Sequence, residues 1–109
     1  MNYTITYYSI EVQTDILALP KTLQARYIGL SARMMVYGAN LGEPHTKALG
    51  DGLFELRLKG SEGIARVFYC TLVGRRIVML HSFVKKTQKT PAHELNIAKN
   101  RMSEVKLEY

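Results

Sequence analysis

Arg57, Arg66, Lys85 and Lys86, with His81 near the last two, are the side chains of this chain best suited to chemistry. The run HSFVKKTQKTP, His81 to Pro91, gathers Lys85, Lys86 and Lys89 with the hydroxyl and amide groups of Thr87, Gln88 and Thr90, and holds no acid. An apolar strand segment, Ile77 to Leu80, leads into it, and loops after strands are where rigid scaffolds commonly display working groups. A donor-rich cluster without carboxylates attracts anions, of which a phosphodiester backbone is the commonest large one. The chemistry within reach is metal-free cleavage of RNA. There the ribose 2′-hydroxyl is its own nucleophile once it is held in line with phosphorus. Charge then gathers on the non-bridging oxygens, where one fixed donor is worth about 3 kcal/mol. A lysine acts as a base near neutral pH only if its pKa is depressed. His81 is the strand residue whose intrinsic pKa suits proton transfer.

Each residue also has a plain structural explanation. Arg66 and Arg57 are explained as strand arginines paired with Glu55 or Glu62, and Lys85 and Lys86 as a solvated strand end. His81 is explained as a hydrogen-bonded strand residue. Other chemistries find less support. His45, His81 and His93 lie far apart without clustered carboxylates, and no H-E-x-x-H occurs, so neither metal nor cofactor is expected. No nucleophile sits on a Gly-flanked elbow, and GSEG reads as a hairpin turn rather than a phosphate cradle. Cys70, the single cysteine, lies in an apolar stretch and is expected to be a small buried hydrophobe.

Size and charge bound the setting. A chain of 109 residues is expected to form a single domain, 1–109, with a core that needs no disulfide. The formal net charge is +6, from 15 Lys and Arg against 9 Asp and Glu, which favours polyanionic partners. No apolar run long enough to span a bilayer and no leader segment is evident, so a cytoplasmic protein without membrane contact is expected.

The elements that must position these residues follow from periodicity. Asn2 to Tyr8 alternates as a strand. Ser9 can cap a short helix whose Val12, Ile16 and Leu19 share a face. Pro20 opens a second helix with Leu23, Tyr27, Leu30, Met34 and Tyr37 in one stripe, and Gly38 stops it. Asn40 to Asp51 reads as loop. Leu53 to Lys59, Ile64 to Val73 and Arg75 to Lys85 read as strands of an antiparallel meander. A final helix from Thr90-Pro91 carries Leu95, Ala98, Met102 and Val105.

By face, Phe54, Leu56 and Leu58 alternate with Glu55, Arg57 and Lys59, while Ala65, Val67 and Tyr69 face away from Arg66. His81, Phe83 and Lys85 share one side of the last strand, and Val78, Leu80 and Val84 the other. The simplest assembly is an α+β domain in β-α-α-β-β-β-α order with a mainly antiparallel twisted sheet. Helices would cover one face, and Arg57, Arg66, His81 and Lys85 would line the other. A single bulge would invert part of this assignment.

The combination LFELR, ARVFY and FVKKTQKTP, within a match from Leu49 to Met102, resembles the RelE-type toxins of bacterial toxin–antitoxin systems, in their HigB-like, phage-related branch. The resemblance implies a toxin that is a ribosome-dependent mRNA endoribonuclease, arresting translation and growth. Its partners would be mRNA on the ribosome, with contacts to rRNA, and a cognate helix-turn-helix antitoxin. Arg66 matches the strand arginine that contacts the scissile phosphate, and Arg57 a basic position on the preceding strand. Lys85 and Lys86 fall where relatives carry a further catalytic cation, and either one can be its counterpart. Lys59, Thr87, Gln88 and Lys89 belong to the surface expected to bind RNA or the ribosome. Relatives that use a Glu–His pair or a C-terminal tyrosine are not matched by motif, so the general base stays open, and Tyr109 is not equated with that tyrosine.

Two other readings use the same residues. One is a ParE-like inhibitor of DNA gyrase on the same fold, which would leave transcripts whole and would not depend on Arg66. The other is a non-catalytic nucleic-acid-binding module with salt-sensitive affinity and no toxicity.

Overall fold

The computed structural model describes residues 2–108. Its elements are β1 (Thr4–Tyr7), α1 (Ile10–Leu17), α2 (Lys21–Tyr37), β2 (Thr46–Gly50), β3 (Leu53–Gly60), β4 (Gly63–Leu72), β5 (Arg76–Val84) and α3 (Ala92–Glu108). The sheet order is β1-β5-β4-β3-β2. The β2–β3–β4–β5 ladders are antiparallel, and β1 adds to β5 in parallel after the helical hairpin crosses over the sheet.

Local chemistry sets the hairpin. The Ser9 hydroxyl accepts from the Val12 amide at 3.2 Å, supplying one partner that the first turn of α1 lacks. Pro20 offers no such side-chain cap to α2. Instead Glu62, in the β3–β4 turn, accepts from the Thr22 amide at 2.8 Å, and the Thr22 hydroxyl accepts from the Glu62 amide at 3.2 Å. The start of α2 is thus capped across forty residues of chain, reciprocally. Gly60 makes the approach possible, since a Cβ there would lie 2.7 Å from the Thr22 hydroxyl. Leu23, Tyr27, Leu30 and Met34 bury their shared face as their spacing predicts, but Tyr37 is 73% exposed. The ring of Tyr3 closes that end of the core, lying against Gly38, whose φ of 99° ends the helix.

Leu56, Leu58, Ala65, Val67, Tyr69, Ile77 and Met79 pack against α1 and α2. The opposite face is also covered, over part of its area: Leu53, Phe68, Cys70, Val78 and Leu80 bury against Ala98, Met102 and Val105 of α3. Helices therefore lie on both faces, and the expectation of one bare cationic face is corrected to a half-open one. The β5 face assignment also changes. Tyr69 pairs with Met79 but Phe68 pairs with His81, so Leu80 is the extra residue of a bulge. Val78 and Leu80 consequently share the α3 side with Phe83, whose ring stacks on Phe68 at 5.9 Å.

One further strand corrects the reading of Asn40 to Asp51 as loop. The breakers Gly42 and Pro44 precede β2, and the left-handed Gly50 ends it with Asp51 and Gly52 following in the turn, so that Thr46–Gly50 pairs with the edge of β3. Thr46 is buried, and its hydroxyl accepts from the Gly42 amide at 2.9 Å. A strand edge otherwise left with unpaired backbone groups gains a partner, which outweighs the weak local propensity. No helix of the described residues is long and apolar enough to cross a membrane.

Candidate functional site

Arg57 and Arg66 stand directly opposite each other on β3 and β4. Like charges in that position repel across a ladder. Glu55, two residues before Arg57 and so on the same face, resolves the conflict. Its carboxylate lies 3.1 Å from Arg57 Nε and 3.7 Å from Arg66 Nε. The residue is 6% exposed, and its other oxygen accepts from the Thr90 hydroxyl at 3.4 Å. One buried carboxylate thus ties both guanidinium groups to the end of the lysine-rich loop.

Arg66 is the more enclosed of the pair. Its Nη1 donates to the Ala65 carbonyl at 3.2 Å, while Nε is buried without a hydrogen-bond acceptor. Burial pushes its pKa below the ordinary arginine value; the Glu55 charge opposes that shift and the Arg57 charge adds to it. A guanidinium remains charged at any physiological pH. A partly desolvated cation with an unused donor gains more from an incoming anion than a fully hydrated one does. Arg57 is held differently, with Glu43 at 3.2 Å on the exposed side.

Three cavities meet at Arg66. One of about 440 Å³ is lined by Lys85, Lys86, Thr87 and Gln88, with Ile64 and Arg66. One of about 270 Å³ reaches over Glu55 and Arg57 to Lys85, Gln88 and Thr90. The third, about 340 Å³, extends past Arg57 to Lys59, His45 and Arg26. A larger groove of about 540 Å³ between α2 and the β3–β4 turn meets the site through Arg26 and Lys59 alone. The loop end is anchored by the Lys85 amide, which donates to the Ile64 carbonyl at 2.7 Å and carries the β4–β5 ladder one step past the strand. The Thr87 hydroxyl folds the loop by donating to the Lys89 carbonyl at 2.8 Å.

The fold therefore brings together Arg57, Arg66, Lys59, Lys85, Lys86, Thr87 and Gln88 around one set of cavities. It does not bring Lys89 or His81 to them. His81 Nε2 lies 2.7 Å from Glu94 Oε1, tying β5 to the first turn of α3. No sequence motif marks this Glu–His contact, because its partners sit on different elements. Glu55, Arg26 and His45 also escape a reading by motif. The alternation of β3 places Glu55 on the ionic face and so offers a signal for it; nothing local marks Arg26 or His45.

Acid–base and nucleophilic groups are sparse at this site. Burial raises the Cys70 thiol to about 11, so it is neutral and no nucleophile at physiological pH. Among the described residues no three His, Cys, Asp or Glu side chains gather to hold a metal ion. What the arrangement offers is fixed positive charge on a concave surface. That suits a polyanion, and at Arg66 a single phosphate.

Residues 14–103 match the family described as phage-derived protein Gp49-like, DUF891. No curated protein matches the chain. Among solved structures, a double arginine-to-alanine mutant of the Escherichia coli toxin RelE in the free state superposes with a TM-score of 0.67. It is 13% identical and covers 93% of this chain and 98% of its own. The archaeal RelE–RelB complex from Pyrococcus horikoshii OT3 matches with a TM-score of 0.57 at 18% identity, over 77% of this chain and 96% of that one. At these identities the likeness is one of fold: α+β, RelE-like, with a mostly antiparallel sheet between helices.

Proposed function

The chain belongs to the phage-derived Gp49-like family and has the fold of RelE toxins, and from that premise we propose that it is the toxin of a toxin–antitoxin pair, acting as a metal-independent endoribonuclease on mRNA held by the ribosome. The observation that carries this reading is Arg66, a largely enclosed guanidinium whose buried Nε has no hydrogen-bond acceptor, at the junction of three cation-lined cavities. A scissile phosphate seated there gives Nε its missing acceptor. Arg57 and the ammonium groups of Lys85 and Lys86 share the charge that grows on the non-bridging oxygens.

In the proposed step the 2′-oxygen attacks phosphorus as its proton leaves to solvent water. The P–O5′ bond breaks, and the departing oxygen takes a proton from the Lys85 or Lys86 ammonium. The products are a 2′,3′-cyclic phosphate and a 5′-hydroxyl end. His81, held by Glu94, serves as a positioning residue for β5 and α3. Lys59, Thr87, Gln88 and Lys89 contact RNA or rRNA. With so few acid–base groups, in-line placement of the 2′-hydroxyl falls to the ribosome, so naked RNA is a poor substrate. The whole chain works as one domain in the cytoplasm, neutralised by a helix-turn-helix antitoxin.

The test is induced expression with mapping of transcript 5′ ends. Wild type is expected to cut messages within translated frames, and Arg66→Ala to lower cleavage by about a hundredfold or more. Whole transcripts alongside broken chromosomal DNA would favour gyrase inhibition instead. Efficient cutting of free RNA by the purified protein would also count against the proposal.

A further inference from the structure

The cavity on the far side of Arg66 from the lysine loop contains more than a phosphate needs. Three of its lining residues, Pro44, His45 and Ile64, offer flat or apolar surface. Arg26 and Lys59 add cations, and among the described residues neither forms an ion pair with a carboxylate, whereas Arg57 is held by Glu55 and Glu43. At about 340 Å³ it lies within the range of about 300–1,000 Å³ typical of small-ligand sites. Ile64 and Arg66 also line the cavity of Lys85 and Lys86, so a strand whose phosphate sits at Arg66 has one cavity on either hand.

His45 is unusually well presented for contact. Its backbone is held at both ends, the amide donating to the Gly42 carbonyl at 3.0 Å and the carbonyl accepting from the Arg57 amide at 2.8 Å. The half-buried ring makes no hydrogen bond or ion pair among the described residues, in contrast to His81 with its Glu94 partner. An aromatic ring on an anchored stretch of backbone, beside apolar side chains and unpaired cations, is the composition of a single-stranded nucleic-acid subsite. There a base stacks and its phosphate is neutralised.

Resting on the nuclease reading above, we propose that this cavity is a single-nucleotide subsite of the RNA track. The base adjoining the scissile phosphate stacks on His45 among Pro44 and Ile64, and the next phosphate out is held by Arg26 and Lys59. The flat surface reads ring area rather than base edges, so the subsite prefers purines over pyrimidines.

The probe is a short single-stranded RNA carrying 2-aminopurine in that position, with a 2′-deoxy residue at the scissile bond so that it cannot be cut. Its fluorescence is expected to fall on binding wild type and His45→Phe, while His45→Ala weakens the quenching titration about tenfold. Arg26→Ala with Lys59→Ala is expected to weaken binding while the bound probe remains quenched. On translating ribosomes, His45→Ala should raise KM more than it lowers kcat and should flatten the purine preference. Unquenched binding to wild type, or equal titrations for wild type and His45→Ala, would overturn the subsite. So would loss of cleavage in both His45 variants with a displaced pH profile, which assigns the imidazole to proton transfer. A wild-type protein that leaves ribosomal messages intact sinks the nuclease reading alone, and the quenching titration still decides the subsite.

Discussion

At the scale of single residues, Glu55 governs the site although it carries the wrong sign for binding phosphate. It keeps two opposed guanidinium groups on adjacent strands from driving each other apart. Glu55→Gln preserves the shape and removes the charge. Breaking a fully buried pair costs about 3–5 kcal/mol, and the partial exposure of Arg57 reduces the expected loss to about 2 kcal/mol. A urea midpoint that does not move would mean that solvent already screens the pair. Cys70 gives a residue-scale test of the core. Its thiol is raised from 9.0 to about 11, chiefly by burial and against the nearby Lys106 charge. Well below pH 9 it is neutral in both folded and unfolded states. As pH rises from 9 to 11 the unfolded chain releases the proton first, so stability falls through that window. Melting curves across it should show the decline, and a thiol reagent should label Cys70 no faster than the protein unfolds.

At the scale of elements, the docking of α2 on the β3–β4 turn shapes one border of the site, since Arg26 and Lys59 sit on either side of that junction. The junction rests on the Thr22–Glu62 exchange and on the absence of a side chain at Gly60. Gly60→Ala puts a carbon 2.7 Å from the Thr22 hydroxyl and 2.9 Å from Thr22 Cβ. Overpacking of this kind costs about 1–3 kcal/mol. The expected result is a lower urea midpoint with an unchanged m-value. Thr22→Val combined with Gly60→Ala should cost less than the sum of the two, because each disturbs the same contact.

At the scale of the whole molecule, the +6 net charge is distributed unevenly, and the cavities around Arg66 take a large share of it. Binding of single-stranded RNA to a surface that neutralises about four phosphates should weaken with salt, with a log–log slope of about −3. Arg26→Ala should reduce the magnitude of that slope by about 0.7. A slope near zero would indicate that the basic surface does not meet the nucleic-acid backbone, and would turn attention to an acidic protein partner.

Legibility divides along the range of the interactions. The stripes of α1 and α2, the FELRLK alternation of β3, the turn spacings and the basic loop are all patterns within a few residues. They could be read directly, and with them the placement of Arg57 and Arg66 on one face. The order of elements was legible too, apart from β2, whose pairing depends on an available edge rather than on its own residues.

Four things were decided only by tertiary structure. One bulged residue, Leu80, moved the lower half of β5 to the other face, because a period of two converts a single insertion into an inversion. Helix α3 then covered part of the cationic face. His81 was drawn to Glu94, and His45 and Arg26, distant in the chain, came to border the same cavity as Arg66. Alternation and charge are local, so the order of residues alone was enough to say which surface is positive and which elements carry it. Which of those charges border the same cavities was settled by strand register and helix docking, which depend on contacts between residues far apart in the chain.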